Sequence, residues 1–265
     1  MTTRPLFTIV TVTFNAESCI ERTMRSVLGQ DYPDVEYIVV DGGSKDGTIS
    51  VVQRYEKHIT RWISEPDKGI YDGMNKGIAL ATGEYLLFMN ADDVFADAHV
   101  LSRVAALLGD SREADVVYGN WITATEHGEY PGMPQPLESL PRKWVLCHQA
   151  TFVKTDLLKS HPFDISLRYV GDFAQISGLY LEHYKFLYVE VPIALLPINS
   201  GTTFNNFEAS TREHFAVLRQ RGLCRPYEMH WMLFRKRVVR WLKTSLPSAW
   251  SDALFKFLAK HYKVM

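Results

Sequence analysis

Cysteine is scarce in this chain, three residues in 265, and those three sit in no arrangement that chemistry uses. Cys19, Cys147 and Cys224 are odd in number and far apart, which fits neither a zinc spacing nor a disulfide framework and makes a reducing compartment the default. Long apolar runs are missing too. Nothing approaches the roughly 18–20 residues that a membrane span needs, and Met1 to Phe7 lacks the apolar centre of a signal peptide, so a cytoplasmic location is expected. The familiar phosphate-binding loops are absent as well. The glycines of Gly42-Gly43-Ser44-Lys45-Asp46-Gly47-Thr48 form neither the dinucleotide fingerprint nor a P-loop, which needs Lys and then Ser or Thr directly after its last glycine.

Surplus charge is nearly absent overall, a formal −1, but the balance is uneven along the chain. From Trp231 to Met265 there are eight Lys or Arg and one acid, Asp252. The first 230 residues hold 21 basic and 29 acidic groups, a formal −8 against +7 for the tail. A split of this kind suggests different surroundings for the two ends. What is present otherwise, 46% hydrophobic and 22% charged residues, is ordinary for a globular chain with a sizeable core.

The stretch around which the chain is arranged is Tyr85-Leu86-Leu87-Phe88-Met89-Asn90-Ala91-Asp92-Asp93. Five apolar or aromatic residues read as a central parallel strand buried on both faces, stopping at two adjacent carboxylates. In an open α/β sheet ligands bind beyond the carboxyl ends of the strands, and hard divalent cations favour carboxylate oxygens and bridge them to phosphates. A plain acidic turn before a helix near Asp97 accounts for the same residues. Upstream, strands are expected over Phe7–Phe14, Val35–Val40 and Trp62-Ile63. Helices are expected after each: Ile20, Met24, Val27 and Leu28 build one apolar face, Val51, Val52 and Tyr55 another, and Ile70, Met74, Ile78 and Ala81 a third. This alternation calls for a doubly wound, mostly parallel α/β sheet flanked by helices. Asp41 stands at a strand's carboxyl end, able to accept from a base or ribose, or merely to start a tight turn. Gly73 and Gly77 inside a helix, at about 1 kcal/mol each relative to Ala, imply close approach of a backbone or ligand.

Phe14-Asn15, Tyr37-Ile38-Val39-Val40-Asp41-Gly42-Gly43-Ser44-Lys45-Asp46-Gly47-Thr48, Glu65-Pro66-Asp67-Lys68-Gly69 and Asn90-Ala91-Asp92-Asp93 together resemble the successive signatures of glycosyltransferase family 2. The resemblance covers roughly residues 6 to 205. It implies the GT-A fold and a nucleotide-sugar donor, by family habit a uridine one. It also implies that Asp41 and Asp67 hold base and ribose, that Asp92 holds Mg²⁺ or Mn²⁺ on the diphosphate, and that Phe14, Asn15, Lys68, Gly69, Asn75, Asn90 and Ala91 line the donor site. The pattern departs at Asn90, where the family has its first acid, and one negative charge is lost. Asp93 either helps through the metal's water shell or caps a turn.

Beyond the central strand, a helix is expected around Leu101–Leu108, a strand at Asp115–Gly119, and an irregular covering loop over Glu129–Arg142 with its four prolines. His148-Gln149 resembles the family's approach to an acceptor-side strand, although a lone histidine is equally a satisfied core or rim residue. Asp172, at the start of a helix, matches the family's catalytic acid and is the candidate general base; an N-terminal helix cap is the bland reading. Metal and base on opposite sides of the sugar imply inversion by a single displacement. Pro197–Thr203 resembles a segment that closes over the donor.

The domain is expected to span 1–225, followed by a basic helical tail over 226–265. Trp231, Phe234, Val238, Trp241 and Leu242 share one helical face, with Lys236, Arg237, Arg240 and Lys243 around the other and Leu233 as a misfit. Such a helix fits the interface of a membrane, here the inner face of the cytoplasmic membrane with a lipid-linked saccharide acceptor; packing on the core is the alternative. Two other functions share the sheet. A sugar nucleotidyltransferase would want a basic glycine-rich loop where Asn15-Ala16-Glu17-Ser18 stands, and a non-catalytic nucleotide-sugar binder would have no activity for Asp172→Asn to lose.

Overall fold

Strand β4 (Tyr85–Phe88) is buried at all four positions, which is why its residues are apolar throughout rather than alternating. It lies parallel to β1 (Phe7–Thr13), which pairs in parallel with β2 (Val35–Asp41), and β2 with β3 (Arg61–Ser64). The computed structural model describes residues 7–109, 113–125, 128–197, 206–225, 227–234 and 238. Helices α1 (Ile20–Leu28), α2 (Thr48–Arg54) and α3 (Ile70–Leu80) make the crossovers of this parallel half. On its other side β4 meets β8 (Thr151–Lys154) antiparallel. The sheet then continues through β6 (Val116–Thr125) and β9 (Phe186–Pro197), parallel to each other, to the two-residue β5 (Val94–Phe95). The α/β, mostly parallel sheet flanked by helices is therefore present, with an antiparallel extension. Helices α4 (Val100–Leu108), α5 (Thr155–Ser160) and α6 (Gly171–Leu181) complete this half, and α7 (Phe207–Gln220) follows.

Two local expectations are corrected, and one short strand is added. The proline-bearing stretch is not wholly irregular: Gly128–Gly132 forms β7, an edge strand on β6 in which Pro131 lies opposite Ile122. An edge tolerates proline because one row of its N–H groups has no strand to bond. Before Asp97 the chain makes β5, too short for a periodic signal. Gly73 and Gly77 face β1 rather than a backbone: a Cβ at Gly77 would lie 2.5 Å from Val10 Cγ1, and one at Gly73 2.8 Å from Val12 Cγ1. They let α3 press onto the sheet beneath the loops that carry Asp67 and Asp41.

The chain divides into two compact units, 1–210 and 211–265. In the second, residues 227–234 are helical. Tyr227, Trp231, Met232 and Phe234 are exposed, Trp231 and Phe234 stacking with centroids 6.1 Å apart. Leu233, the misfit of the sequence pattern, is the buried residue. Among the described residues no helix is long and apolar enough to cross a membrane. Residues 198–203 of the expected closing segment, and in the tail residues 235–237 (with Lys236 and Arg237) and everything beyond Val238, lie outside the described residues.

Candidate active site

The loops after β1, β2, β3 and β4 leave the same rim of the parallel half, because parallel strands end together. Thr13 lies opposite Asp41, and Asp41 opposite Ser64. Asp41 is fully buried. Its Oδ2 accepts from the backbone N–H groups of Gly43 and Ser44, 2.9 Å each, and from Ser64 Oγ at 2.7 Å, while Ser44 Oγ donates to Oδ1. Asp41 thus builds the loop from within. Asp67 crosses to this loop: its Oδ2 occupies the space a Cβ on Gly42 would need, and its Oδ1 accepts from the N–H of Gly69 at 2.9 Å. Gly69 has φ +127°, a value that suits glycine. Lys68 donates its backbone N–H to Asp72.

Asn15 takes a left-handed conformation, φ +48°, that Asn tolerates. Its N–H donates to Ser44 Oγ and its side-chain oxygen accepts from the N–H of Lys45, both at 2.8 Å. Phe14 beside it is exposed. Asn75 faces elsewhere, both ends of its amide bonding the backbone of Phe163 at 2.9 Å. Phe163 stacks on Tyr71, so Asn75 braces the wall behind the cleft.

The turn after β4 carries the densest chemistry. Asp92, with φ +86°, pairs with Arg22 of α1: one guanidinium nitrogen lies 2.6 Å from Oδ1 and 2.7 Å from the Asp92 carbonyl oxygen. No sequence spacing announced this partner, 70 residues away. Asp93 is buried, and burial, only partly opposed by His148 and Gln149, pushes its pKa up to about 6. Gln149 donates to it at 3.1 Å. Asn90 Oδ1 and Thr13 Oγ1 are buried without a hydrogen-bond partner, a costly state that marks the ends of β1 and β4 as unfinished polar surface.

Asp172, at the start of α6, is brought to this turn by His148. The ring's Nδ1 lies 3.1 Å from Asp172 Oδ2 and its Nε2 3.4 Å from Asn90 Nδ2. Asp172 Oδ1 accepts from Tyr71 Oη at 3.1 Å and from the N–H of Phe173 at 2.9 Å. Burial works against its charge, yet the His148 ring, that N–H and the Tyr71 hydroxyl hold its pKa below the usual carboxylate value. Burial also opposes a charged His148; the hydrogen bond and charge of Asp172, with the charge of Asp93, outweigh it and raise the ring's pKa. Burial, reinforced by Asp172, pushes the Tyr71 hydroxyl far up, so it remains a donor. A carboxylate held ionised at neutral pH by these donors can accept a proton from a hydroxyl brought against it.

A family model described as "Glycosyl transferase family 2" matches residues 8–161. The chain belongs to glycosyl transferase family 2. A PGL/p-HBAD biosynthesis glycosyltransferase of Mycobacterium bovis is 34% identical over 64% of this chain and 67% of its own length. A putative teichuronic acid biosynthesis glycosyltransferase, TuaG of Bacillus subtilis, is 38% identical over 34% of this chain and 37% of its own. Among solved structures, S. aureus TarS 1-349 in complex with UDP-GlcNAc has TM-score 0.65 at 20% identity, covering 80% of this chain and 66% of that one. The mannosyltransferase PcManGT from Pyrobaculum calidifontis, in complex with GDP-Man and Mn²⁺, has TM-score 0.66 at 20% identity, covering 99% and 82%. These solved structures share the GT-A-type fold with this family 2 glycosyltransferase.

Proposed function

We propose that this glycosyltransferase moves a sugar, with inversion, from a nucleoside diphosphate donor to a hydroxyl of a saccharide or lipid-linked saccharide, with Asp172 as general base. The observation that carries the reading is the contact chain Asn90–His148–Asp172, which sets a carboxylate from the acceptor half against the turn of the donor half. Asp67, Lys68 and Gly69 present the base and ribose subsite, on a rim whose neighbouring loop Asp41 holds from within; Phe14 offers a ring for the base to lie on; Asn15 shapes the loop beneath. Uridine diphosphate is the expected leaving group. Asn75 supports the cleft from behind.

A divalent ion fits the turn only as a shared ligand. Among the described residues no group of three or more His, Cys, Asp or Glu side chains could hold one. Asp92 is half-exposed and offers one carboxylate, enough where substrate phosphates supply further oxygens. Such an ion neutralises charge developing on the departing diphosphate. Asp92, Asn90 and Ala91 hold the donor's phosphate side, and Asp172 takes the proton of the attacking hydroxyl.

Two measurements test this. In a thermal-shift panel, uridine diphosphate with Mn²⁺ is expected to raise the melting midpoint by several degrees and more than the guanosine or thymidine analogues; no shift with any nucleoside diphosphate defeats the proposal. Arg22 competes with the ion for Asp92. An exposed ion pair is worth about 0.2–1 kcal/mol, so Arg22→Gln is expected to tighten Mn²⁺ binding by up to about fivefold in a paramagnetic-resonance titration.

The tail completes the proposal. The exposed Tyr227, Trp231 and Phe234 beside a basic sequence support attachment at the cytoplasmic membrane surface, where a lipid-linked acceptor resides.

A further inference from the structure

Tyr71 stands in the first turn of α3, two residues after Gly69, and its hydroxyl reaches a carboxylate 101 residues away. The phenol ring is buried and held by its neighbours. Phe163 stacks on it, ring centroids 5.4 Å apart and planes at 27°. Phe163 is itself fixed: the amide of Asn75, one helical turn beyond Tyr71, bonds its N–H and its carbonyl oxygen, and its edge meets Phe88 of β4 at 5.6 Å. Gly171 supplies the closest contact. A Cβ there would lie 2.7 Å from Tyr71 Cε2 and 2.8 Å from Cδ2 and Cζ, so only a glycine admits the ring where it stands. The backbone makes no such demand, because Gly171 opens α6 outside the left-handed region.

The hydroxyl so placed donates to Asp172 Oδ1 at 3.1 Å. The N–H of Phe173 donates to the same oxygen, and His148 Nδ1 lies against Oδ2. Donors from three separate segments leave the carboxylate one orientation, and each favours its charged form. Burial keeps the phenol protonated, so Tyr71 always arrives as a donor. The titratable groups facing Asp172 are His148 and Tyr71, with the buried Cys147 thiol next and Asp93 beyond the imidazole.

We propose that Tyr71 is the positioning residue that aims the Asp172 carboxylate, and that position 171 is glycine to admit the phenol. The inference rests on Asp172 being the base. It ties that base to the helix that starts at the Asp67–Gly69 loop, so the ribose subsite and the proton acceptor share one support.

Tyr71→Phe tests this, since it removes the hydroxyl and keeps the ring in its packing. It is expected to lower kcat about tenfold, with donor KM moving less than about threefold. A second reading needs no turnover. In the full chain labelled with ¹³C-aspartate, the Asp172 carboxyl resonance is assigned by its loss in Asp172→Asn. In Tyr71→Phe it is expected to titrate at a higher pH than in the unmodified protein, because a donor to the charged form is gone. An unmoved midpoint, or kcat within about twofold, overturns the proposal. Gly171→Ala is expected to lower kcat as well, but the double variant is expected to lose no more than the worse single one, because a displaced ring without its hydroxyl has no hold left to lose. Losses that multiply would mean that Gly171 acts on Asp172 directly, and would overturn its assignment to the ring. The titration stands apart from the base assignment, which fails separately if Asp172→Asn remains active.

Discussion

Asp172→Asn is expected to lower kcat by about 10²- to 10⁴-fold, the usual contribution of a positioned general base. The substitution keeps the shape of the group. The amide oxygen can accept from Tyr71 and from the N–H of Phe173, as Oδ1 does now. The amide nitrogen would face His148 Nδ1, which can accept once the ring changes tautomer. What disappears is the ability to take a proton from the attacking hydroxyl. Donor affinity, measured by calorimetry with the nucleoside diphosphate, is expected to stay within about threefold, because loss of a transition-state role leaves ground-state binding in place. A variant with kcat within a factor of a few would remove Asp172 from the chemistry.

The largest effect on stability is expected at Glu36, a residue that carries no chemistry. It is buried near the start of β2 and gathers four donors: Thr8 Oγ1 at 2.5 Å, the N–H and Oγ1 of Thr82 at 2.7 Å each, and the N–H of Gly83 at 3.2 Å. One carboxylate therefore fastens β1 and β2 to the turn between α3 and β4. Glu36→Ala strands several of these groups. At about 1–3 kcal/mol for a buried unsatisfied donor, the loss is about 2–4 kcal/mol. For a chain of this size that lowers the melting midpoint by about 10 °C. The pH dependence has a definite sign. Burial raises the Glu36 pKa, but the bonds from Thr8, Thr82 and Gly83 outweigh it and leave the folded value below the ordinary one. Its stabilisation is therefore full above the unfolded carboxylate pKa and lost as pH falls through the lower folded value. The gap in melting midpoint between unmodified protein and variant should narrow on acidification over that range. A constant gap would mean that Glu36 acts through packing alone.

Neither residue was equally visible in the sequence. Asp172 could be singled out because a Gly-Asp pair before an apolar helix matches a family pattern. Glu36 could not: an acid between Val35 and Tyr37 reads as the wet face of a strand, and its donors lie 28 to 47 residues away. The same holds for Arg22, whose partner on Asp92 is set by tertiary contact alone. Of the parallel half, β4 was legible because burial on both faces leaves an uninterrupted apolar run, and β1 and β2 because β-branched and aromatic residues dominate them. β5 and β7 were not, one having two residues and the other a proline that suggests irregular chain. For the glycines of α3 the local backbone cost was readable, but the neighbour was not; only the fold shows Val10 and Val12 beneath them. The oddity at Asn90 was plain in the sequence; its contact with His148, 58 residues away, was not.

The pairing of β4 with β8 has a consequence for synthesis. The donor-side residues up to Asp92 are complete long before Thr151 leaves the ribosome, whereas β4 gains its second neighbour only then. Until that moment its outer backbone and greasy side chains form a sticky seam, open to other nascent chains. A chaperone that shields Tyr85–Phe88 during this interval would protect the yield of the enzyme while leaving its finished stability untouched.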